Sequence, residues 1–231
     1  MVCELKKLSV FIITLVVVFS HLGCKYAPFI GLFGTESYHE RTVPAEYNLT
    51  EHTDQKVLVL VDQPGWLDAQ LNLRYYLTQA INMDLVRRIE IPGDSLVSYS
   101  ELSEFRSNQS DFSLLSPAEI GAAFDANMVL LVMVEDYELN EMAETNYYKG
   151  FLGVQAVLLD TAKEEKLWPQ LAKSKSIEVG FEVESRGQEV AVGRLASACA
   201  FCTTRYLYNC PKKKFTIAED RSTIAWKKWG R

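Results

Sequence analysis

The side chains best suited to covalent or metal chemistry lie near the carboxy end: Cys199, Cys202 and Cys210. Cys199-Ala-Phe-Cys202 has the spacing of a redox pair or of half a zinc site. Its setting argues against both. The pair falls in the middle or second half of a helical stripe, away from the helix amino end that lowers a thiol pKa. No histidine lies near to complete a metal set. Three readings stay open: buried thiols, a disulfide involving Cys210, or a metal or redox site. Leu195, Ala198, Cys202 and Tyr206 share a stripe that should face a sheet. Cys202 is therefore expected to be buried and Cys199 at least partly so. Cys210, at the helix end before Pro211, is expected to be the more available thiol.

Carboxylates offer the next candidates. Asp62 and Asp160 each close an apolar run. If both runs end on one edge of a sheet, the two acids share a site and a hydrolase becomes possible. The ordinary alternative is a turn or a helix cap. Glu135, Asp136, Glu138, Glu141 and Glu144 present oxygens suited to Ca²⁺ but lack the spacing and glycine of a calcium loop, so a solvated acidic loop is the alternative. Tyr137, Tyr147 and Tyr148 in this region are candidate interaction residues. Beyond residue 23 the only histidines are His39 and His52, in a stretch without periodicity. That removes the usual acid–base residue from the folded part. Ser113 and Ser116 flank an apolar pair, but Ser116 is accounted for as a cap. No G-x-S-x-G, P-loop, H-E-x-x-H or G-x-G-x-x-G sequence is present. No enzyme activity, metal or cofactor is expected.

The amino end is an address. Lys6 and Lys7 precede an uncharged 12-residue run, Leu8 to Phe19, and then Ser20-His21-Leu22-Gly23-Cys24. A basic start, a short apolar run and a small residue before a cut site describe a secretory signal. The run is shorter than the roughly 20 residues that span a bilayer. Leu22-Gly23-Cys24 resembles the end of a bacterial lipobox, with His21 departing from the usual leucine. The resemblance implies cleavage before Cys24 and lipidation of that cysteine with palmitate-type acyl chains. Each buried CH₂ contributes about 0.8 kcal/mol, so several chains hold a protein on a bilayer almost permanently. Lys25 stands where an aspartate retains proteins of that kind at the inner membrane. The expected place is therefore the bacterial envelope, the outer membrane rather than the inner, with the folded part in the periplasm. An ordinary signal peptide or an uncleaved anchor is the alternative.

The 231 residues, 48% hydrophobic and 23% charged with a net charge of -6, suit one folded domain and exclude a disordered chain. A single apolar run excludes a polytopic membrane protein. The acidic balance argues against a nucleic-acid partner. The expected boundaries are a signal over 1–23, a lipidated tether over 24–55, a domain over 56–210 and a basic mobile tail over 211–231. In the tether, Ala27 to Phe33 is apolar enough to lie in a lipid interface or to pack on the domain. The tail carries Lys212-Lys-Lys214, and Lys227-Lys228 between Trp226 and Trp229, against an acidic body. It is either disordered or a contact for anionic headgroups, with the two tryptophans as interaction candidates.

Within the domain, Lys56-Val-Leu-Val-Leu-Val-Asp62 reads as a buried strand. A helix follows, capped by Asp68, with Leu71, Tyr75, Thr78, Ile81 and Leu85 on one face. Val86–Ile91 or Leu96–Tyr99 supplies a weak strand. Ser116-Pro-Ala-Glu119 is a capping box opening a helix with Ile120, Ala123 and Phe124 buried and Asn127 as a left-handed stop. Met128 to Val134 is wholly apolar and should be a central strand. Glu135 to Lys149 reads as a long hairpin loop or frayed strand ends. Gly150–Asp160 and Leu167-Trp168 follow as strands. Ile177, Val179, Phe181 and Val183 alternate with polar residues as a strand with one wet face. Gln188–Asn209 is the last helix. The fold class is α/β, a single three-layer domain with a mixed, open sheet and helices packed on it.

Three stretches sharpen this order: KVLVLVD before a long helix, SPAEIGAAFDANMVLLVMV, and GVQAVLLDTAKEEKLWP. Together they resemble a family of envelope lipoproteins that includes the curli secretion lipoprotein, the lipoprotein activator of penicillin-binding proteins and the amino-terminal domain of TolB. The resemblance covers about Lys56 to Asn209. Asn127 stands where the family often has aspartate, and Lys163-Glu164-Glu165 where it often has a glycine turn. It implies a non-enzymatic binding or assembly factor for another envelope protein, or a ring-forming secretion-channel subunit and hence a homo-oligomer.

Overall fold

The computed structural model describes residues 41–67, 72–142 and 146–222. The chain enters at β1 (Thr42–Val43) and passes a 3-10 turn, Leu49–His52, before the first long-sheet strand, β2 (Val57–Asp62). Three helices follow: α1 (Leu73–Asp84), α2 (Tyr99–Asn108) and α3 (Pro117–Ala123). They form the crossover that a parallel pair of strands requires, because β3 (Met128–Glu141) runs parallel to β2. β4 (Tyr147–Asp160) returns antiparallel to β3. Its far edge is shared by β5 (Lys166–Trp168), at the Asp160 end, and β6 (Lys175–Glu184) along the rest. The last long helix is α4 (Gln188–Thr204), and β7 (Cys210–Pro211) closes back on β1.

Strand periodicity sorts the side chains into two cores. Val57, Val59 and Val61 of β2, with Leu130 and Val132 of β3, meet Leu73, Leu77 and Ile81 of α1 and Leu195, Cys199 and Cys202 of α4. Leu58, Leu60 and Val129 point the other way, onto Leu102 of α2 and Ile120 of α3. The fold is thus a mixed, open five-stranded sheet, three layers thick over β2 and β3. Towards β6 the second face is bare. Glu178 and Glu182 are exposed there while Ile177, Val179 and Phe181 are buried, the alternation expected of a strand with one wet face.

Local chemistry sets several boundaries. Ser116 accepts from the Glu119 amide and Glu119 reaches back to the Ser116 amide, with Pro117 in the first turn. Ala118, Ile120 and Gly121 are the buried residues of α3; Ala123 is exposed and Phe124 half-buried. The left-handed residue after it is Asp125, at φ 53, not Asn127. Asn127 instead accepts the Lys56 amide at 2.8 Å, tying β2 to β3 where both begin. α1 is capped by Asn72, whose side chain accepts from the Tyr75 amide. Asp68 and Leu71 lie outside the described residues. Leu73, Leu77, Thr78 and Ile81 form the buried face of α1, and Tyr75 points to solvent because that face is set from Leu73.

The weak strand expected around Val86–Ile91 is a π-helical turn, Leu85–Ile89, ending at left-handed Glu90. Leu96 makes a single parallel bridge to Val57 and the chain then enters α2. The acidic stretch after Val134 is strand rather than loop. β3 continues to Glu141, with a bulge between Val134 and Asp136.

The ends of the domain also differ from expectation. Leu49 is fully buried, Glu46 accepts from the Trp168 indole, and the 41–55 stretch packs on the sheet rather than serving only as tether. Past Cys210, Lys212–Phe215 forms a helical turn, and Asp220 is buried in an ion pair with Arg205. Glu219 and Arg221 make backbone bonds to Gly180 and Glu178 along the edge of β6. Packed structure therefore continues past Cys210 through the described residues to Ser222.

Candidate functional site

β3 and β4 run in opposite directions, and this separates the two acids proposed as a catalytic pair. Asp62 lies opposite Met133 of β3, whereas Asp160 lies opposite Met128. Five residues of strand, about 17 Å, lie between those levels. Asp160 accepts the Lys163 amide at 2.9 Å and starts the turn into β5. Asp62 and Asp160 do not share a site, and the hydrolase built on them is removed.

The cysteines are structural in their setting. Cys199, Cys202 and Cys210 are free thiols with no exposed surface. Burial raises the Cys199 thiol and pushes Cys202 up to about 12. Cys210 is not the accessible one, because β7 pairs with β1 over it. Thiol labelling of folded protein is expected to leave all three unmodified, with reaction only after denaturation; fast labelling of any of them would show that this end opens. Cys202→Ser is expected to cost about 1–3 kcal/mol, read from the urea midpoint, by burying a hydroxyl among apolar groups.

The acidic residues do not converge. Glu135 accepts from the Gln155 side chain, Glu138 from Asn140, and Glu141 from the Asn146 amide, each at a different level of the hairpin. Among the described residues, no group of three acidic, histidine or cysteine side chains is placed to hold a metal ion. Glu144 lies outside the described residues. His52 stacks on Tyr47 at the first turn of the fold; His39 lies outside the described residues.

The hairpin does bring together a surface that can bind. The bulge after Val134 turns Tyr137 and Leu139 toward the α1–α4 side. There a cavity of about 390 Å³ is lined by Trp66, Tyr137, Glu138, Asn140 and Gln188. Trp66 is 63% exposed, a large apolar face in water. The Tyr137 hydroxyl is buried without a hydrogen-bond partner, and burial pushes its pKa up to about 12. A neutral phenol, two amides and an indole face beside the Glu138 carboxylate suit a polar backbone or planar ligand. Of the three expected tyrosines, Tyr137 lines this cavity, Tyr147 is half-buried nearby in sequence, and Tyr148 is a core residue. Tyr148 is withdrawn as an interaction residue. Trp66 was missed because it follows a turn sequence, Asp62-Gln-Pro-Gly65, that carries no periodic signal.

Cys24, Ala27–Phe33, Trp226, Lys227-Lys228 and Trp229 lie outside the described residues, as does the 1–23 signal. Among the described residues no helix is long and apolar enough to cross a membrane.

No protein-family model matches the chain, and no curated protein sequence is similar to it. Among solved structures it is similar to the lipoprotein GNA1162 from Neisseria meningitidis, at 17% identity over 62% of this chain and 94% of that one, with a TM-score of 0.37. A PelC dodecamer from Paraburkholderia phytofirmans aligns at 11% identity over 73% and 97%, with a TM-score of 0.40. The LpoB C-terminal domain from Salmonella enterica aligns at 16% identity over 65% and 92%, with a TM-score of 0.33.

Proposed function

We propose that this chain is a lipid-anchored protein of the bacterial envelope that acts without catalysis, as a binding or assembly factor for another envelope protein. One observation carries the reading: the short apolar run that ends at Leu22-Gly23-Cys24. Lys25 favours the outer membrane, with the domain in the periplasm. The separation of Asp62 from Asp160 supports a role without catalysis. The Trp66–Tyr137 cavity supports binding, since exposed tryptophan beside a pocket is what protein interfaces use as an anchor.

Intact-mass measurement of protein extracted from native membranes tests the anchor. Loss of residues 1–23 with added acyl mass is expected; an unmodified Cys24 with residues 1–23 retained would refute it. Crosslinking in the native membrane tests the binding role. Trp66→Ala is expected to lower the yield of the main crosslinked species at least tenfold while leaving the melting temperature within about 2 °C, as for an exposed hot-spot side chain. An unchanged crosslink pattern would remove this cavity from the interface. Native mass spectrometry of the same extract reads the alternative, since a ring requires a defined large homo-oligomer.

A further inference from the structure

The carboxy-terminal half of α4 forms one wall of a groove of about 450 Å³. Its floor is apolar, with Ala198, Phe201 and Ile217. Its rim is cationic: Arg88, Arg194, Lys213 and Lys214, with Glu219 as the one carboxylate. Arg194 is paired with Glu219 at 2.8 Å and Arg88 with Asp84 at 2.8 Å, and Arg88 also lies over the Phe201 ring. Beside Arg87 of the π-helical turn stand Met83 and Val86, 46% and 41% exposed. Cationic and apolar groups interleaved on one surface suit the boundary between headgroups and acyl chains.

The position of this surface is set by β1 and β7. The Lys212 amide donates to the Arg41 carbonyl at 2.7 Å, so the first described residue of the fold sits against the Lys212–Lys214 run. Only 16 residues separate Arg41 from Cys24 in the sequence, a reach of at most about 60 Å when extended. The chain that leads in from Cys24 therefore joins the fold beside the lysines of this groove. The hairpin surface is acidic, with Glu135, Asp136 and Glu138 exposed, and the bare sheet face is mixed, with Glu178 exposed and Glu182 paired with Lys149. An anionic surface would repel the hairpin.

We infer that the groove between the π-helical turn after α1, α4 and the Lys212–Glu219 segment docks on a bilayer surface and receives an anionic phospholipid headgroup. This deepens the lipid-anchor reading and rests on it. Docked so, the domain holds α4 as a strut. Gln188, at the Trp66–Tyr137 cavity, is 13 residues and about 20 Å along the helix from Phe201 in the groove, which keeps the partner-binding end off the membrane.

The test uses the full protein, extracted from native membranes and reconstituted into vesicles of phosphatidylcholine alone or with phosphatidylglycerol added. Hydrogen–deuterium exchange is read over 194–219. Exchange at Lys212–Glu219 is expected to slow on the anionic vesicles alone, and the difference to disappear at high salt. Each lysine removed should reduce the protection about fivefold, as expected for a charge near an anionic surface. Lys213→Glu/Lys214→Glu should abolish it. Should that pair perturb the melting curve, Lys212→Glu/Lys214→Glu carries the same test. Equal exchange on both vesicles, or protection that survives charge reversal, overturns the proposal. So does the same protection from inorganic phosphate in detergent, which would make the ligand a soluble anion, or from an acidic peptide, which would make it a protein. Intact mass of the same sample reads the anchor separately. Absent acyl chains with lipid-dependent protection intact would remove the anchor and leave the docking surface.

Discussion

Asp220→Ala is expected to destabilise the domain by about 3–5 kcal/mol, because it leaves a guanidinium uncompensated in the interior. Arg205 and Asp220 have no exposed side-chain surface and meet at 2.6 Å. Arg205 also donates to the Phe215 carbonyl at 2.7 Å and to the Tyr206 hydroxyl at 3.1 Å, and it lies against the Tyr206 and Phe215 rings. Its Nε finds no partner, so even the native arrangement leaves one donor unsatisfied. Asp220 in turn accepts from Ser222. Removing the carboxylate strands the charge and frees the segment that lies along β6. At roughly 2–4 °C per kcal/mol for a domain of this size, the melting temperature should fall by about 6–20 °C. Limited proteolysis should then open first within 211–222. Asp220→Asn/Arg205→Met, which removes both charges, should recover most of the loss. A fall as large in the double variant as in the single one would show that the segment is held by packing rather than by the pair.

Glu219, next to that pair, ties stability to pH. The hydrogen bond from Arg194 holds its carboxyl below the ordinary range. The folded carboxylate is thus favoured. Its contribution is complete above the ordinary carboxylate range and is lost as the pH falls through the lowered folded value. The pair is part-exposed, so the contribution is small beside the Arg205–Asp220 pair.

The layers of this fold follow from short-range patterns. The capping box at Ser116, the apolar run Met128–Val134 and the stripe through Leu195 and Cys202 each have a local cause, and each appears in the structure where its residues place it. What escaped was of two kinds. α2 buries only Leu102, so it has almost no apolar periodicity; its one local signal is a second capping box, Ser98 with Glu101. The ends of the domain depend on contacts more than 100 residues apart or on single buried charges. Glu46 with Trp168 and Arg205 with Asp220 leave no repeating pattern to read.

The candidate site divides the same way. The chemistry of Asp62 and Asp160 was readable, but strand direction was not, and antiparallel β4 carries Asp160 to the far end. In the sequence, Tyr137 reads as a candidate interaction residue in a solvated acidic stretch. The bulge after Val134 shifts the alternation by one, so Tyr137 faces the same side as Val134 rather than the opposite one. That shift turns an exposed ring into the wall of a cavity.

Trp168→Ala is expected to cost about 3–5 kcal/mol, at the upper end for removal of a buried aromatic side chain. Trp168 is fully buried at the end of β5, with its ring stacked on Tyr206 at 6.0 Å between centroids. Its indole nitrogen donates to Glu46 at 2.8 Å, and Glu46 also pairs with Lys175, which lies over the Tyr206 ring. One side chain therefore joins the sheet edge, the loop after α4 and the stretch that leads in from Arg41. Alanine leaves a cavity and releases Glu46 together. Trp168→Phe separates the two effects, since it keeps most of the ring volume and removes the donor. Because Glu46 is partly exposed, water can replace that donor, and the cost of the hydrogen bond alone should be about 1 kcal/mol. Chemical denaturation reads both totals, and hydrogen–deuterium exchange over 42–49 reads the local effect. Exchange there should rise in both variants if the Glu46 bond holds the entry segment. A rise in Trp168→Ala alone would assign that role to packing against Tyr206 and the ring's other neighbours. No rise in either would leave the backbone bonds from Glu46 and Leu49 to the Tyr206 and Leu207 carbonyls as the clasp.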